Sequence, residues 1–344
     1  MSRRTHDLDE DDVRVRPGRS TRPRSRLRPA HDEATPAYVL AVDRGRFTCE
    51  VNDREVTAVR ARELGRKSVV VGDHVGLVGD VSGTTDTLAR LIRIEPRTSV
   101  LRRSADDGDP IERIIVANAE QLAIVSAVAN PEPQPRLIDR YLVAAFDGGL
   151  EPLLVLTKAD LADPAPLIEA YALLALRVVV TRSGEPSEEL RAALRDRVTV
   201  LAGSSGVGKS TLINALVPGA DRATGDVNAV TGRGRHVSTS AVVLDLPAGG
   251  RVIDTPGIRS FGLAHVDVDR VVAAFPDLAP GTAECPRGCQ HVAPDEDTVL
   301  IDPDGDEVAQ CALDDWVAAG HAEPARLDSL RRLLAVRDKP DLDG

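Results

Sequence analysis

The residues best suited to chemistry form a glycine-rich loop between an apolar strand and a helical run. Gly203, Gly208 and Lys209 belong to a G-x-x-x-x-G-K-[ST] pattern that follows the apolar residues 198–201. In this context backbone N–H groups surround phosphate oxygens, and the start of the following helix adds positive potential. Lys209 would neutralise phosphate charge, and Ser210 would bind Mg²⁺. The pattern predicts a phosphate site made by Gly203, Ser204, Ser205, Gly206, Val207, Gly208, Lys209, Ser210 and Thr211.

A second loop could recognise a nucleotide base. The apolar residues 153–156 lead into Thr157-Lys158-Ala159-Asp160. A carboxylate at 160 can accept hydrogen bonds from both N1–H and the exocyclic amino group of guanine, a pair that adenine does not offer. Lys158 would cover the base and the sugar, whereas Thr157 replaces the commoner Asn and loses an amide that normally braces the loops. Beside the phosphate loop, this tetrapeptide predicts guanine specificity; an adenine-specific enzyme with the same phosphate loop is the alternative.

The third loop, Asp254-Thr255-Pro256-Gly257, follows another apolar strand. Asp254 would hold Mg²⁺ through water, and the N–H of Gly257 would contact the γ-phosphate, so that GTP and GDP become distinguishable. The residues 181–184 form either a weaker loop behind the base or a plain turn.

The order of these loops along the chain is unusual. The base loop comes first, then the phosphate loop and then Asp254, whereas an unpermuted G domain begins with the phosphate loop. The contacts depend on geometry and not on where the chain is cut. We therefore predict a circularly permuted G domain.

One histidine is a candidate for catalysis. Ras-like proteins carry a water-orienting Gln after the DxxG glycine, but Ile258 stands in that place here and cannot hydrogen-bond. His236, in the segment between the phosphate loop and Asp254, is the candidate general base or water-orienting group. A solvated loop histidine is the alternative. Intrinsic hydrolysis of GTP is expected to be slow.

Three cysteines and a histidine form the last cluster. Cys285, Cys289 and His291 lie within seven residues, and nineteen residues separate His291 from Cys311. Three cysteines with one histidine are a ligand set for structural Zn²⁺, and the grouping suits a reducing compartment better than a disulfide framework. Incidental cysteines are the alternative. Cys49, alone on a predicted strand, is expected in a core.

The elements that must position these loops change in character along the chain. Residues 36–104 contain five short β-branched runs separated by turns, which favours a small OB-type β-barrel. Residues 105–274 alternate apolar strands with helical segments, which indicates a parallel sheet covered by helices. Residues 275–344 hold the Cys/His cluster and an amphipathic segment expected to be helical. The predicted fold class is a multidomain α/β protein with a barrel, a permuted P-loop G domain and a helical zinc-binding domain.

The charge distribution bears on the partners of the protein. The net charge of −11 argues against a nucleic-acid partner, but residues 36–104 hold twelve Arg and Lys against nine Asp and Glu. RNA binding by the barrel and a plain structural barrel both remain open. Residues 1–35 are predicted to be a disordered basic arm, which either contacts a polyanion or is a solvated tail. Without a membrane-length apolar run or a secretory signal, we expect a cytoplasmic protein with no membrane partner.

With these motifs in view, the chain resembles the bacterial ribosome small-subunit-dependent GTPase A family over roughly residues 36–335. The motifs that carry the resemblance are TKAD, GSSGVGKST, GRGRHVST, DTPGIRSFGL and the Cys/His cluster. The resemblance implies a GTP hydrolase in late maturation of the 30S ribosomal subunit, stimulated by that subunit, with 16S rRNA as a partner, Mg²⁺ and Zn²⁺ as metals and His236 as the catalytic residue. We expect a monomer, since nothing suggests an obligate oligomer.

Two other functions remain open at this level. One is a nucleotide-gated RNA-binding assembly factor with little intrinsic catalysis, and the other is a permuted GTPase of large-subunit assembly. The chain also departs from the family pattern. Its cysteine knuckle is one residue shorter than Cys-x4-Cys-x-His-x5-Cys, with an insertion of about fourteen residues before Cys311. Thr157 replaces an Asn, which would weaken nucleotide affinity, and the switch hydroxyl would be Ser238 or Thr239.

Overall fold

A computed structural model describes residues 34–64, 69–84, 87–104, 112–220, 241–255, 263, 266–293 and 311–336. Nearly all of the predicted basic arm lies outside these residues. The segment 221–240 and the residues that follow Thr255 also lie outside them, and with them His236, Ser238, Thr239, Gly257 and Ile258.

The N-terminal barrel is built from β1 (Thr35–Asp43), β2 (Arg46–Val51), β3 (Arg54–Arg60), β4 (His74–Gly79) and β5 (Ala89–Ile94). The strands pair in the order β1-β2-β3-β5-β4, and β4 pairs back with β1, which closes the ring. Successive side chains of a strand point to opposite faces. One face therefore fills the interior, which includes Val39, Cys49, Val56, Leu77 and Leu91. The OB-type barrel is confirmed, and Cys49 lies in its core as expected.

The central sheet contains β8 (Gln121–Ala127), β9 (Glu151–Thr157), β10 (Arg177–Val180), β11 (Val198–Ala202), β12 (Val242–Asp245) and β13 (Arg251–Asp254). Among the described strands the order is β10-β9-β8-β11-β13-β12, parallel throughout except that β12 runs antiparallel to β13. Every residue of β8 is buried. This burial on both faces explains why the strands read as continuous apolar runs in the sequence.

Helices cover both faces of this sheet. One core cluster joins the sheet to α1 (Pro135–Gly148), α5 (Val268–Ala273) and α7 (Pro324–Ala335). A second cluster joins the other face to α3 (Glu188–Leu194) and α4 (Lys209–Leu216). The helix α2 (Ala165–Tyr171) places Tyr171 in the first cluster. The predicted parallel sheet between two helical layers is confirmed.

A separate ribbon connects the barrel to the sheet. It consists of β6 (Val100–Ser104) paired with β7 (Glu112–Ala117), and Leu101 and Val116 are buried in the first core cluster. The domain limit proposed from the sequence at 104/105 lies between these two paired strands. The limit proposed at 274/275 lies just after α5.

The C-terminal residues pack on the central sheet through α7, where a helix was predicted. Its buried leucines join the first core cluster, and Arg326 forms an ion pair of 2.6 Å with Asp277. The indole N–H of Trp316, on α6 (Leu313–Ala318), donates to the carbonyl of Asp277 at 2.9 Å. Arg332 reaches the buried carboxylate of Asp139 on α1 at 3.3 Å. In the described part of the chain, no helix combines the length and the apolar character that crossing a bilayer requires.

Candidate nucleotide-binding site

Four loops meet at the carboxyl edge of the central sheet. In the parallel register Leu201 lies beside Asp254, and Ala202 lies beside Ile124. Farther along the sheet Ala127 lies beside Thr157. Loops that leave parallel strands at equivalent positions emerge at one edge, which is where open α/β sheets bind ligands. The sheet therefore brings together the loops after β9, β10, β11 and β13.

The phosphate loop has a backbone that only glycine fits at its first position. Gly203 has φ +150°, and a Cβ there would lie 2.2 Å from the carbonyl oxygen of Val125. Gly206 and Gly208 also have positive φ values, of +78° and +100°. The helix α4 begins at Lys209, and Ser210 and Thr211 follow in its first turn. This is the strand, loop and helix that the motif requires.

The ammonium of Lys209 lies inside this loop. It donates to the carbonyl oxygens of Gly203 and of Ser204, the latter at 2.7 Å. Burial lowers the pKa of Lys209 to about 8, and the carboxylate of Asp254 acts in the opposite direction. A desolvated cation at this place is suited to bind an anionic ligand.

The base loop is fastened directly to the phosphate loop. The buried hydroxyl of Thr157 donates to the carbonyl oxygen of Val207 at 2.6 Å, and the ammonium of Lys158 donates to that of Gly206 at 2.9 Å and to that of Asn130. The hydroxyl therefore braces the two loops, where the sequence suggested that this brace was lost with the amide. The role of Lys158 over the base and the sugar stays a prediction.

Asp160 is held by the loop after β10. Its Oδ1 accepts a hydrogen bond of 2.8 Å from the backbone N–H of Ser183, and the Ser183 hydroxyl lies 2.9 Å from both carboxylate oxygens. The backbone bond, followed by the hydroxyl bond, lowers the pKa of this exposed carboxylate. The N–H of Ala159 donates to the carbonyl of Thr181 at 3.1 Å. The residues 181–184 are thus a loop that supports the base loop, and the sequence had left this open.

Asp254 ends β13 close to the phosphate loop. The residue is buried, and the hydroxyl of the following Thr255 donates to the carbonyl of Leu201 at 3.0 Å. The pairing of Leu201 with Asp254 places the third predicted loop at the same site. The predicted contacts of Gly257 and His236 lie outside the described residues.

The predicted metal ligands also converge. The ligand atoms of Cys285, Cys289, His291 and Cys311 all lie within 4.8 Å of one another. The Sγ atoms of Cys285 and Cys311 are 4.0 Å apart, and they lie 3.6 and 3.5 Å from Nδ1 of His291. Bonds of about 2.3 Å to sulfur and about 2.0 Å to nitrogen at tetrahedral angles give spacings of about 3.5 to 3.8 Å. The cluster is compatible with zinc.

The cluster is partly buried, and a contact from α7 holds His291 in place. His291 is buried, and its carbonyl accepts from Arg331, which also pairs with Asp314 at 2.6 Å. Burial raises the pKa of the Cys311 thiol to about 12. A thiolate in this position needs a compensating positive charge, which a divalent metal ion supplies.

The sheet order and the order of the loops define a circularly permuted P-loop GTPase. The RsgA GTPase family profile matches residues 94–264. A small ribosomal subunit biogenesis GTPase RsgA from Pseudomonas aeruginosa is 38% identical over 283 residues, which cover 80% of this chain and 77% of the relative. One from Gemmatimonas aurantiaca is 37% identical over 275 residues, 78% of this chain and 84% of the relative. This chain belongs to the RsgA GTPase family.

Solved structures have the same architecture. YjeQ from Thermotoga maritima superposes with a TM-score of 0.58 at 23% identity, covering 88% of this chain and 97% of that structure. YloQ, described as a circularly permuted GTPase, gives a TM-score of 0.59 at 24% identity, covering 91% and 99%. The permuted arrangement is therefore a property of the fold.

Proposed function

We propose that this GTPase hydrolyses GTP to GDP and phosphate during late maturation of the small (30S) ribosomal subunit, and that the subunit stimulates hydrolysis. The relatives at 37 to 38% identity carry the name of small ribosomal subunit biogenesis GTPases. The observation that carries the nucleotide-binding part of the proposal is the direct bond from Thr157 in the base loop to Val207 in the phosphate loop. One guanine nucleotide can therefore contact both loops at once.

Each loop receives a role in this proposal. The Asp160 carboxylate accepts the two guanine N–H groups, and the backbone and Lys209 of the phosphate loop bind the phosphates. Ser210, in the first turn of α4, and the buried carboxylate of Asp254 would hold Mg²⁺. The ion would neutralise charge on the phosphates. The N–H of Gly257 contacts the γ-phosphate and thereby senses the nucleotide state.

His236 is proposed as the residue that orients or deprotonates the attacking water. Ile258 cannot do so, because its side chain has no hydrogen-bonding group. A His236→Ala variant is expected to keep GDP affinity and to lose most of the stimulated turnover. Unchanged stimulated turnover in this variant would remove the catalytic role of His236.

The barrel is proposed to contact 16S rRNA through phosphate groups. Arg46 on β2 and Arg90 on β5 are both exposed, and both are cross-strand neighbours of Val59 on β3. Cross-strand neighbours share a face of the sheet, so these guanidinium groups lie on one outer surface. Such a surface suits the phosphate backbone, which dominates affinity for nucleic acids.

The remaining parts of the proposal concern zinc, location and assembly. We propose that Cys285, Cys289, His291 and Cys311 hold one structural Zn²⁺, which would join the loop at residue 285 to the start of α6. We further propose a monomer that works in the cytoplasm, where small ribosomal subunits mature.

A titration with separated ribosomal subunits tests the central proposal. GTP turnover should be slow alone and should rise at least tenfold with 30S particles, but not with 50S particles. Rates that stay flat across the 30S titration reject this partner, and stimulation by 50S particles would point to large-subunit assembly. Cosedimentation with 30S particles that depends on GTP without any turnover would favour the non-catalytic RNA-binding factor.

Guanine specificity has its own test. Asp160→Asn removes one of the two acceptor oxygens and introduces a donor, so it should weaken GTP relative to xanthosine triphosphate. Nucleotide choice that does not change in this variant would favour the adenine-specific alternative.

A further inference from the structure

An arginine of the central sheet binds the barrel. The Nη2 atom of Arg251, the first residue of β13, lies 2.8 and 2.7 Å from the two carboxylate oxygens of Glu50 on β2. Its Nε donates to Asp245 on β12 at 2.8 Å. The same guanidinium lies 5.0 Å from the ring centre of Tyr38 on β1, and Tyr38 is the cross-strand neighbour of Glu50. One side chain of β13 thus contacts three other strands, two from the barrel and one from the central sheet.

The backbone connection between the barrel and the central sheet is short. Among the described strands, the pairing of β1 with β12 consists of Ala41 beside Val242. In the β12–β13 hairpin, Val242 lies beside Asp254, and Asp245 lies beside Arg251. The barrel is therefore attached near the nucleotide end of the hairpin by backbone pairing and at its other end by the Arg251–Glu50 ion pair.

These two attachments fix the orientation of the hairpin relative to the barrel. A strand held at one point can pivot, but a strand held at both ends moves with the body that holds it. The hairpin ends at Asp254, a proposed magnesium residue. A change in barrel position would therefore reach this carboxylate.

The ion pair is partly shielded from solvent and well oriented. The side chains of Arg251 and Glu50 are only 24% and 22% exposed. Partial burial reduces screening, and two hydrogen bonds from one guanidinium nitrogen to a carboxylate fix the geometry of the pair better than a single contact does.

We propose that Glu50 is a positioning residue for stimulated GTP hydrolysis: through Arg251 it lets the barrel, when bound to the ribosomal subunit, set the position of the β12–β13 hairpin. This inference rests on the proposed function. It gives the Arg251–Glu50 pair a role in regulation without contact to the nucleotide.

Glu50→Gln tests this inference, since glutamine keeps the size of the side chain and removes its charge. Basal turnover and 30S cosedimentation should stay within twofold of the unmutated protein, while turnover at saturating 30S should fall at least fivefold. The matched control is Glu55→Gln, because Glu55 is the exposed cross-strand neighbour of Glu50 on β3. This control should behave like the unmutated protein.

Two results would overturn the inference. One is undiminished turnover of Glu50→Gln at saturating 30S. The other is a loss of 30S affinity with full turnover at saturation, because that pattern means that Glu50 serves docking alone. A conservative Glu50→Asp variant, which restores a carboxylate, should recover a substantial part of the stimulation. The unmutated protein is measured in parallel. If 30S particles do not stimulate the unmutated protein, the proposed function itself is rejected; if they stimulate it and Glu50→Gln equally, only this inference is rejected.

Discussion

The hydroxyl of Thr157 donates a hydrogen bond of 2.6 Å to the carbonyl oxygen of Val207, fifty residues farther along the chain. This bond joins the end of β9 to the phosphate loop inside a buried region. It shows how a hydroxyl can perform the bracing for which an amide is the commoner choice.

Removal of this hydroxyl should weaken nucleotide binding. Thr157→Val keeps the shape of the side chain but leaves the Val207 carbonyl without its donor, a change worth about 1 kcal/mol, or about fivefold in affinity. Fluorescence titration with a labelled GDP would measure the effect. Thr157→Ser keeps the hydroxyl and is the control. Equal affinities for the valine and serine variants would show that the bond does not support the site.

Ser183 should control the pH range over which GTP binds. Its hydrogen bonds lower the pKa of Asp160, so binding that needs the carboxylate is lost only when the pH falls through this lowered value. Ser183→Ala removes the hydroxyl bond and keeps the backbone bond. GTP affinity at neutral pH should fall roughly threefold, and its loss on acidification should begin at a higher pH.

The measurement for Ser183 is a series of GTP titrations from neutral pH to below 3.8, the ordinary pKa of an aspartate carboxyl group. The control is Ser82→Ala, which removes an exposed hydroxyl from the connection between β4 and β5 of the barrel. If GTP affinity is lost at the same pH in Ser183→Ala and in the unmutated protein, the role assigned to Ser183 is contradicted.

Lys209 should link nucleotide binding to proton uptake. Its pKa is lowered to about 8 by burial, whereas bound phosphates favour the charged form and raise it. Above pH 8 the free protein must therefore take up a proton when GDP binds, and affinity should fall by up to about tenfold per pH unit. Calorimetry in two buffers of different ionisation enthalpy would measure the uptake between pH 7.5 and 9.

The same pKa predicts a trend in stability. Because the folded-state pKa of Lys209 lies below its ordinary value of 10.5, the unfolded chain binds more protons between about pH 8 and 10.5. The contribution of Lys209 to the free energy of unfolding therefore rises with pH in that window.

GDP affinity that stays constant from pH 7.5 to 9 would contradict the lowered pKa of Lys209.

The cysteine cluster should hold metal in the purified protein. Elemental analysis is expected to find about one zinc per chain, and Cys289→Ser should lose most of it and unfold at a lower temperature. Cys49→Ala is the control, because Cys49 is buried in the barrel core and does not belong to the described ligand cluster. Zinc content that is the same in both variants would argue against the site.

The sequence predicted those parts of the fold and site that depend on local pattern. Five β-branched runs gave the barrel, and the continuous apolar run at residues 121–127 marked a strand buried on both faces. The phosphate loop was predictable because its glycines are required by local geometry, as the approach of Gly203 to Val125 illustrates. Likewise, the close spacing of Cys285, Cys289 and His291 in the sequence predicted that their side chains lie together.

Contacts between residues distant in sequence were not predictable in this way. No local pattern connects Ser183 to Asp160 or Arg251 to Glu50, since each pair comes from separate strands and meets only when the sheet forms. The bracing by Thr157 depends on such a distant contact as well. A short hydroxyl can replace the commoner amide here because the Val207 carbonyl lies within 2.6 Å of it.

The meeting of β1 with β12 has a consequence for solubility. The outer edge of an open sheet exposes unpaired backbone groups and invites pairing with other chains. Here Ala41 of β1 pairs with Val242 on the outer edge of β12, and the other end of β12 carries the charged side chain of Asp245. Expressed without the barrel, the remaining sheet would present an uncovered edge and should self-associate at concentrations where the intact chain does not.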